Sequence, residues 1–195
     1  MMAEKIGAVV AAAGLSSRMG GFKPLLPFDG DTVLGRCLDN LLRAGATDAV
    51  VVTGHRAGEL APVLAARPVR VVHNPDYAHT EMFDSICLCM QALPPDCGRV
   101  LLTPGDVPWV PPALIRSLLA VEADFVCPRC GTRRGHPVVL AGEKIPAVLD
   151  FRGAGGLRGA VEALGLCTAF VETEEVGISI DLDTPEDYQN ILKML

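Results

Sequence analysis

Seven short apolar runs recur along this 195-residue chain, at 6–12, 49–53, 69–72, 100–103, 124–127, 137–140 and 168–172. Segments with helical spacing, at 33–44, 57–65, 85–93, 112–121, 157–164 and 185–195, separate most of them. A strand followed by a helix returns to the sheet by a crossover. Neighbouring strands then run parallel, and helices cover both faces. The pattern predicts one domain over 1–195 with an α/β, three-layer α/β/α, Rossmann-like fold and a mostly parallel sheet. Local signals agree. Leu34, Leu38, Leu41 and Leu42 share one helix face, Gly45 suits a C-cap, and Thr184-Pro185 with Asp187 resembles a capping box opening the last helix. The stretch 127–156, rich in Gly, Pro and Arg, reads as a strand–loop–strand excursion.

Composition narrows the function classes. Half the residues are hydrophobic, so disorder is not the dominant state, and the net charge of −6 disfavours a general nucleic-acid binder. No apolar run approaches the roughly 18 residues of a membrane span. The run 6–15 behind Lys5 imitates a signal peptide, but it lacks a positive leader and is interrupted by Gly7, so it reads as a buried strand. Seven cysteines, an odd count without framework spacing, suggest a reducing, cytoplasmic setting. Cys127-Pro128-Arg129-Cys130 lacks the second pair that zinc sites usually need, so no zinc site is expected.

In a parallel α/β sheet, ligands sit beyond the carboxyl ends of the strands. After the first strand come Ala11-Ala12-Ala13-Gly14-Leu15-Ser16-Ser17-Arg18-Met19-Gly20-Gly21-Phe22-Lys23. Small residues admit a ligand close to the backbone, successive amides can form an anion nest, and Arg18 and Lys23 add two cations. A triphosphate needs that combination. Gly14 and Gly20 are separated by five residues with no Lys-Ser/Thr following, so this is not a P-loop, and the G-x-G-x-x-G signature is absent. An ordinary glycine-rich turn with two solvated cations is the plain alternative.

The run A-A-G-x-S-S-R-M-G-x-x-K resembles the opening signature of the MobA-like nucleotidyltransferases, and within them the molybdenum cofactor cytidylyltransferases. The resemblance continues through Asn74-Pro75-Asp76-Tyr77, Pro104-Gly105-Asp106-Val107-Pro108, Arg134-Gly135-His136-Pro137 and Asp181-Leu182-Asp183-Thr184-Pro185-Glu186-Asp187. It implies a nucleotidyltransferase (GT-A-like) version of the fold. It also implies an enzyme that transfers a nucleotide from a triphosphate, CTP, to the terminal phosphate of molybdopterin cofactor, releasing pyrophosphate.

Under that resemblance, Arg18, Lys23 and Asp106 are the catalytic candidates. Ala12, Ala13, Gly14, Ser16, Ser17, Asn74, Ser85 and Gly105 join Arg18 and Lys23 in holding the nucleotide. Mg²⁺ is held by Asp106 together with Asp181, with Asp183 as second choice; one or two carboxylates plus phosphates suffice for that ion. A phosphate monoester is already largely ionised near neutral pH, so no general base is required. Arg134, His136 and Arg158 are candidates for the acceptor. Ser85 reads equally well as the N-cap of the helix at 86–93. Two departures stand out: Glu81 where the family often has glycine, and Ala154 where it usually has aspartate. Expected partners are the triphosphate, a phosphorylated acceptor and a molybdoenzyme, with no nucleic acid or membrane. The competing expectations are the same chemistry on a sugar or alcohol phosphate, or on another pterin with GTP, and a molybdopterin-binding chaperone without turnover.

Overall fold

A strand buried on both faces reads as continuous apolar sequence, and the centre of the sheet is built that way. In the computed structural model, which describes residues 4–14, 21–180, 182 and 184–192, the first strand, β1 (Lys5–Ala12), has Ala8, Val9 and Val10 fully buried. A short hairpin, β2 (Pro27–Phe28) and β3 (Asp31–Thr32), leads into α1 (Val33–Ala44). Thr32 caps that helix by accepting the Gly35 amide at 3.0 Å, and Gly45 ends it with φ 116°. Next come β4 (Asp48–Thr53), α2 (Ala57–Ala65), β5 (Val69–His73), α3 (Met82–Ala92), β6 (Cys97–Pro104) and α4 (Pro112–Leu119). The second half holds β7 (Phe125–Cys130), β8 (Arg133–Arg134), β9 (Val138–Ala141), α5 (Ile145–Asp150), α6 (Gly156–Ala163), β10 (Thr168–Glu172) and α7 (Pro185–Leu192).

The main sheet runs β10-β7-β9-β6-β1-β4-β5, with β8 paired to β7. Its pairings are parallel except at β8 and β9. The expected mostly parallel sheet, with buried clusters on its two faces, is therefore present. Two details set the geometry of the site. The chain leaves β1 for β4 on one side and later returns through β6 on the other, which makes the carboxyl ends of β1 and β6 the switch point where such sheets bind ligands. In addition, β9 runs against β6 and β7, so the turn before it lies on the same edge of the sheet as those carboxyl ends.

The excursion expected at 127–156 is a hairpin, but it ends in the unforeseen α5, and β7 extends to Cys130. The last segment folds back over the molecule. The Trp109 indole N–H donates to the Gly177 carbonyl, while the His136 amide donates to the Ile178 carbonyl at 2.8 Å. Beyond them Leu182 is buried with Phe28 and Val33, and α7 opens with the anticipated capping box, in which Thr184 N donates to Asp187 Oδ2 (2.8 Å) and Asp187 N to Thr184 Oγ1 (3.1 Å). Among the described residues no helix is long and apolar enough to cross a membrane.

Candidate active site

A cleft of about 250 Å³ opens where β1 and β6 end. Its floor is Ala11–Gly14 and Pro104–Asp106, and the Gly105 amide donates to the Ala11 carbonyl at 2.8 Å. Its walls are Lys23 and Pro24 on one side and the start of α3 on the other. Lys23 begins a single 3₁₀ turn, Lys23–Leu25, which carries its ammonium over the cleft to 3.7 Å from Asp106 Oδ2. The two side chains are 14% and 29% exposed, so the cleft holds a cation and a carboxylate side by side and partly shielded from water. Beneath them, burial first and then the charge of Asp106 push the Cys37 thiol up to about 12, which leaves it protonated and useless as a nucleophile.

The wall formed by the loop after β5 departs from one expectation. Ser85 is not an N-cap. Glu81 occupies that position, its amide donates to Asp84 Oδ2 at 2.8 Å, and α3 starts at Met82. Glu81 has φ −81° and ψ 167°, an ordinary extended conformation that does not require glycine. Ser85 lies in the helix, 4% exposed, and lines the cleft. Asn74 stands behind it at 2% exposure, donating from Nδ2 to Ser85 Oγ (3.0 Å) and to Thr80 Oγ1 (2.9 Å), so it meets the cleft only through those hydroxyls. Ser16, Ser17, Arg18, Asp181 and Asp183 lie outside the described residues.

Arg134 and His136, neighbours in one turn, are joined by the distant Arg158 around a second cavity of about 460 Å³ between α6 and the β7–β10 edge. None of the residues lining it lines the first cleft. The Arg134 guanidinium stacks 4.9 Å from the centre of the Phe170 ring, and Arg158 Nε pairs with Glu162 at 2.8 Å. Gly135 is held against the tail so tightly that a Cβ there would stand 2.2 Å from the Ile178 carbonyl oxygen. Ala154 lines a separate groove facing α3, with Phe83, Asp84 and Cys87.

Tyr77, part of a family motif but assigned no role from the sequence, lines the cleft too, as do Thr80 and Met82, which the sequence reading does not propose. Met82 carried the clearest signal, an apolar side chain at a helix start, and it is 58% exposed. Among the described residues no three His, Cys, Asp or Glu side chains cluster as a metal centre. Cys127 and Cys130 belong to the apolar clusters on opposite faces of the sheet, and all seven cysteines are free thiols.

Residues 8–168 match the model of the MobA-like NTP transferase domain. The molybdenum cofactor cytidylyltransferase of Escherichia coli K12 is 30% identical over 94% of this chain and 93% of its own length. The nicotine blue oxidoreductase of Paenarthrobacter nicotinovorans is 26% identical over 94% and 95%. Among solved structures, a nucleotidyl transferase from Methanothermobacter thermautotroptrophicus superposes with a TM-score of 0.85, at 28% identity, covering 97% of each chain.

Proposed function

The chain belongs to the family of MobA-like NTP transferase domains, and on that footing we propose that it transfers CMP from CTP to the terminal phosphate of a molybdopterin-type cofactor, releasing pyrophosphate. The observation that carries this reading is the Lys23–Asp106 pair, 3.7 Å apart at the switch point of the sheet. Similarity to the E. coli cytidylyltransferase along nearly its whole length supports the choice of nucleotide and acceptor.

In this reading the backbone of Ala12, Ala13 and Gly14, with Ser16 and Ser17, cradles the triphosphate, and Arg18 and Lys23 offset its charge. Gly105 lets the β6 end approach closely, and Asn74 and Ser85 serve the nucleoside. Asp106 is a hard oxygen donor with phosphate-sized space beside it, which fits Mg²⁺, an ion that takes one or two carboxylates and completes its shell with phosphates and water. Asp106 and Asp181 would hold it, with Asp183 the second choice. When bound, the ion neutralises charge on the leaving pyrophosphate. Arg134, His136 and Arg158 would grip the acceptor, whose ionised phosphate attacks without a base. The seven free thiols suit a reducing, cytoplasmic setting; a molybdoenzyme is the expected recipient of the product.

Pyrophosphate release from CTP and Mg²⁺ with molybdopterin supplied is the direct test. The unaltered protein releases pyrophosphate, and Asp106→Ala abolishes release and weakens binding of CTP with Mg²⁺. Absence of release, with equal binding by both proteins, overturns the reading. The likeness to nicotine blue oxidoreductase favours a second reading, redox chemistry on the same fold, which pyrophosphate release would exclude.

A further inference from the structure

We infer that Asn40 is a positioning residue: from within α1 it holds the far end of the turn that carries Asp106, and so keeps that carboxylate in place for the metal-bound triphosphate. The inference rests on the nucleotidyl-transfer reading above and adds a residue to it.

A side-chain amide is expensive inside a protein unless it is hydrogen-bonded. Asn40 is 8% exposed, beside Cys37 and Ala44 on the buried face of α1, and those two belong to an apolar cluster. Asparagine also favours a helix less than alanine or leucine does. Neither packing nor propensity accounts for it there. Its Nδ2 donates to the Pro108 carbonyl at 2.8 Å, and because a carbonyl only accepts, this contact decides which way the amide points. Pro108 is itself buried, so water is a poor substitute for Asn40 at that oxygen.

The turn from Pro104 to Pro108 has a proline at each end, and neither has an N–H with which to anchor itself. On the near side the Gly105 amide donates to the Ala11 carbonyl at 2.8 Å; on the far side Asn40 holds Pro108. Asp106 lies between the two ties. Cys37, one helical turn before Asn40, adds a weak S–H contact to the Pro104 carbonyl at 3.8 Å. Val107 is buried as well, but apolar packing has no direction and does not set the tilt of a peptide plane, whereas a hydrogen bond does.

The same helix holds the other half of the charged pair. The Val33 amide, the first of α1, donates to the Leu26 carbonyl at 2.9 Å, directly after the turn that begins at Lys23. From Val33 to Asn40 a helix rises roughly 10 Å. Helix α1 is thus a strut between the Lys23 turn and the Asp106 turn, and Asn40 is its fastening at the second.

The test titrates CTP binding with Mg²⁺ and with the metal chelated, alongside pyrophosphate release with molybdopterin supplied, in the unaltered full chain, Asn40→Leu and Asn40→Ala. Both variants remove the donor, and leucine keeps a similar shape and favours a helix. The expected result is CTP binding about tenfold weaker with Mg²⁺, little changed under chelation, and a kcat/KM for release lowered at least about tenfold, because Asp106 is displaced and Lys23 is not. Leu41→Val loosens the same helix while leaving the Pro108 bond intact; it should lower the thermal midpoint without altering the Mg²⁺ dependence. A purely structural role for Asn40 would weaken CTP equally with and without the metal, or would be matched by Leu41→Val in its effect on Mg²⁺, and either result overturns the inference. If Asn40→Leu fails to fold, Asn40→Ala decides on the same criteria. If the unaltered protein neither binds CTP more tightly with Mg²⁺ nor releases pyrophosphate, the nucleotidyl-transfer reading falls as well; if it does both and the Asn40 variants match it, only the inference falls.

Discussion

The Gly105 amide donates to the Ala11 carbonyl over 2.8 Å, tying the end of β6 to the end of β1 one residue before Asp106. A Cβ at 105 would stand 3.1 Å from Leu34 Cδ1 and 3.3 Å from the Ala11 oxygen. Gly105→Ala therefore pushes the β6 end outward by a few tenths of an ångström and carries Asp106 with it. The expected cost is about 1–2 kcal/mol in stability, read by urea unfolding. The loss in pyrophosphate release is expected to be larger, about tenfold in kcat/KM, because transfer chemistry depends on position. A variant destabilised as described but fully active would show that Asp106 need not sit where the Ala11 bond holds it.

Lys23 and Asp106 should matter far more to turnover than to folding. Partly exposed ion pairs contribute about 0–1 kcal/mol to stability. Groups that stabilise charge developing in a transition state are worth about 10²–10³ in rate. Lys23→Ala and Asp106→Asn should each lower kcat/KM by roughly that factor with thermal unfolding little changed, and Asp106→Asn should also raise the Mg²⁺ concentration giving half-maximal rate.

The second cavity should respond to the acceptor and not to the nucleotide. Arg134→Ala removes a guanidinium stacked on Phe170 at 4.9 Å and should raise the KM for the acceptor about tenfold, with the KM for CTP unchanged. A parallel rise in both constants would show that the two cavities do not divide the substrates in this way.

Acid should expose the role of Arg67. Its guanidinium, 11% exposed, joins Asp31 before α1 to Asp39 within it. Partial burial alone would raise the Asp31 pKa, but the Thr32 amide and the Arg67 charge outweigh it and hold the carboxyl below its usual range. Such a carboxylate contributes stability above its unfolded value, near about 3.9, and loses that contribution as the pH falls through the lower folded value. Asp31→Asn should cost about 1–2 kcal/mol at neutral pH and progressively less than that below about pH 4. Unfolding free energies of the two proteins measured across that range should converge; a constant gap would assign the loss to something other than the charge.

Where burial was two-sided, the sequence was easy to read. Strands β1, β4 and β6 are continuous apolar runs because neither face meets water, and Gly45 and Thr184 announced helix ends through capping chemistry alone. The parts that escaped were short or borrowed their order from elsewhere. Helix α5 has six residues with Val148 its one buried side chain, too little for a period to show. The β2–β3 hairpin did carry a signal, Asp29-Gly30 with φ of 46° and 76°, the pairing favoured in tight turns, but its two-residue strands have no alternation to flank it. In the site, Lys23 and Asp106 could be picked from motifs, whereas Thr80 reaches the cleft because the loop after β5 folds back on Asn74, a tertiary fact.

Gly177 and Ile178 are chain neighbours whose carbonyls are claimed from opposite halves of the molecule, one by Trp109 just after β6, the other by His136 just before β9. A single dipeptide is thus spliced between the segment that follows Asp106 and the turn that carries Arg134. Shear between these two halves loads that splice directly, so a displacement of the turn is transmitted along covalent backbone to the Asp106 side without having to propagate through the sheet.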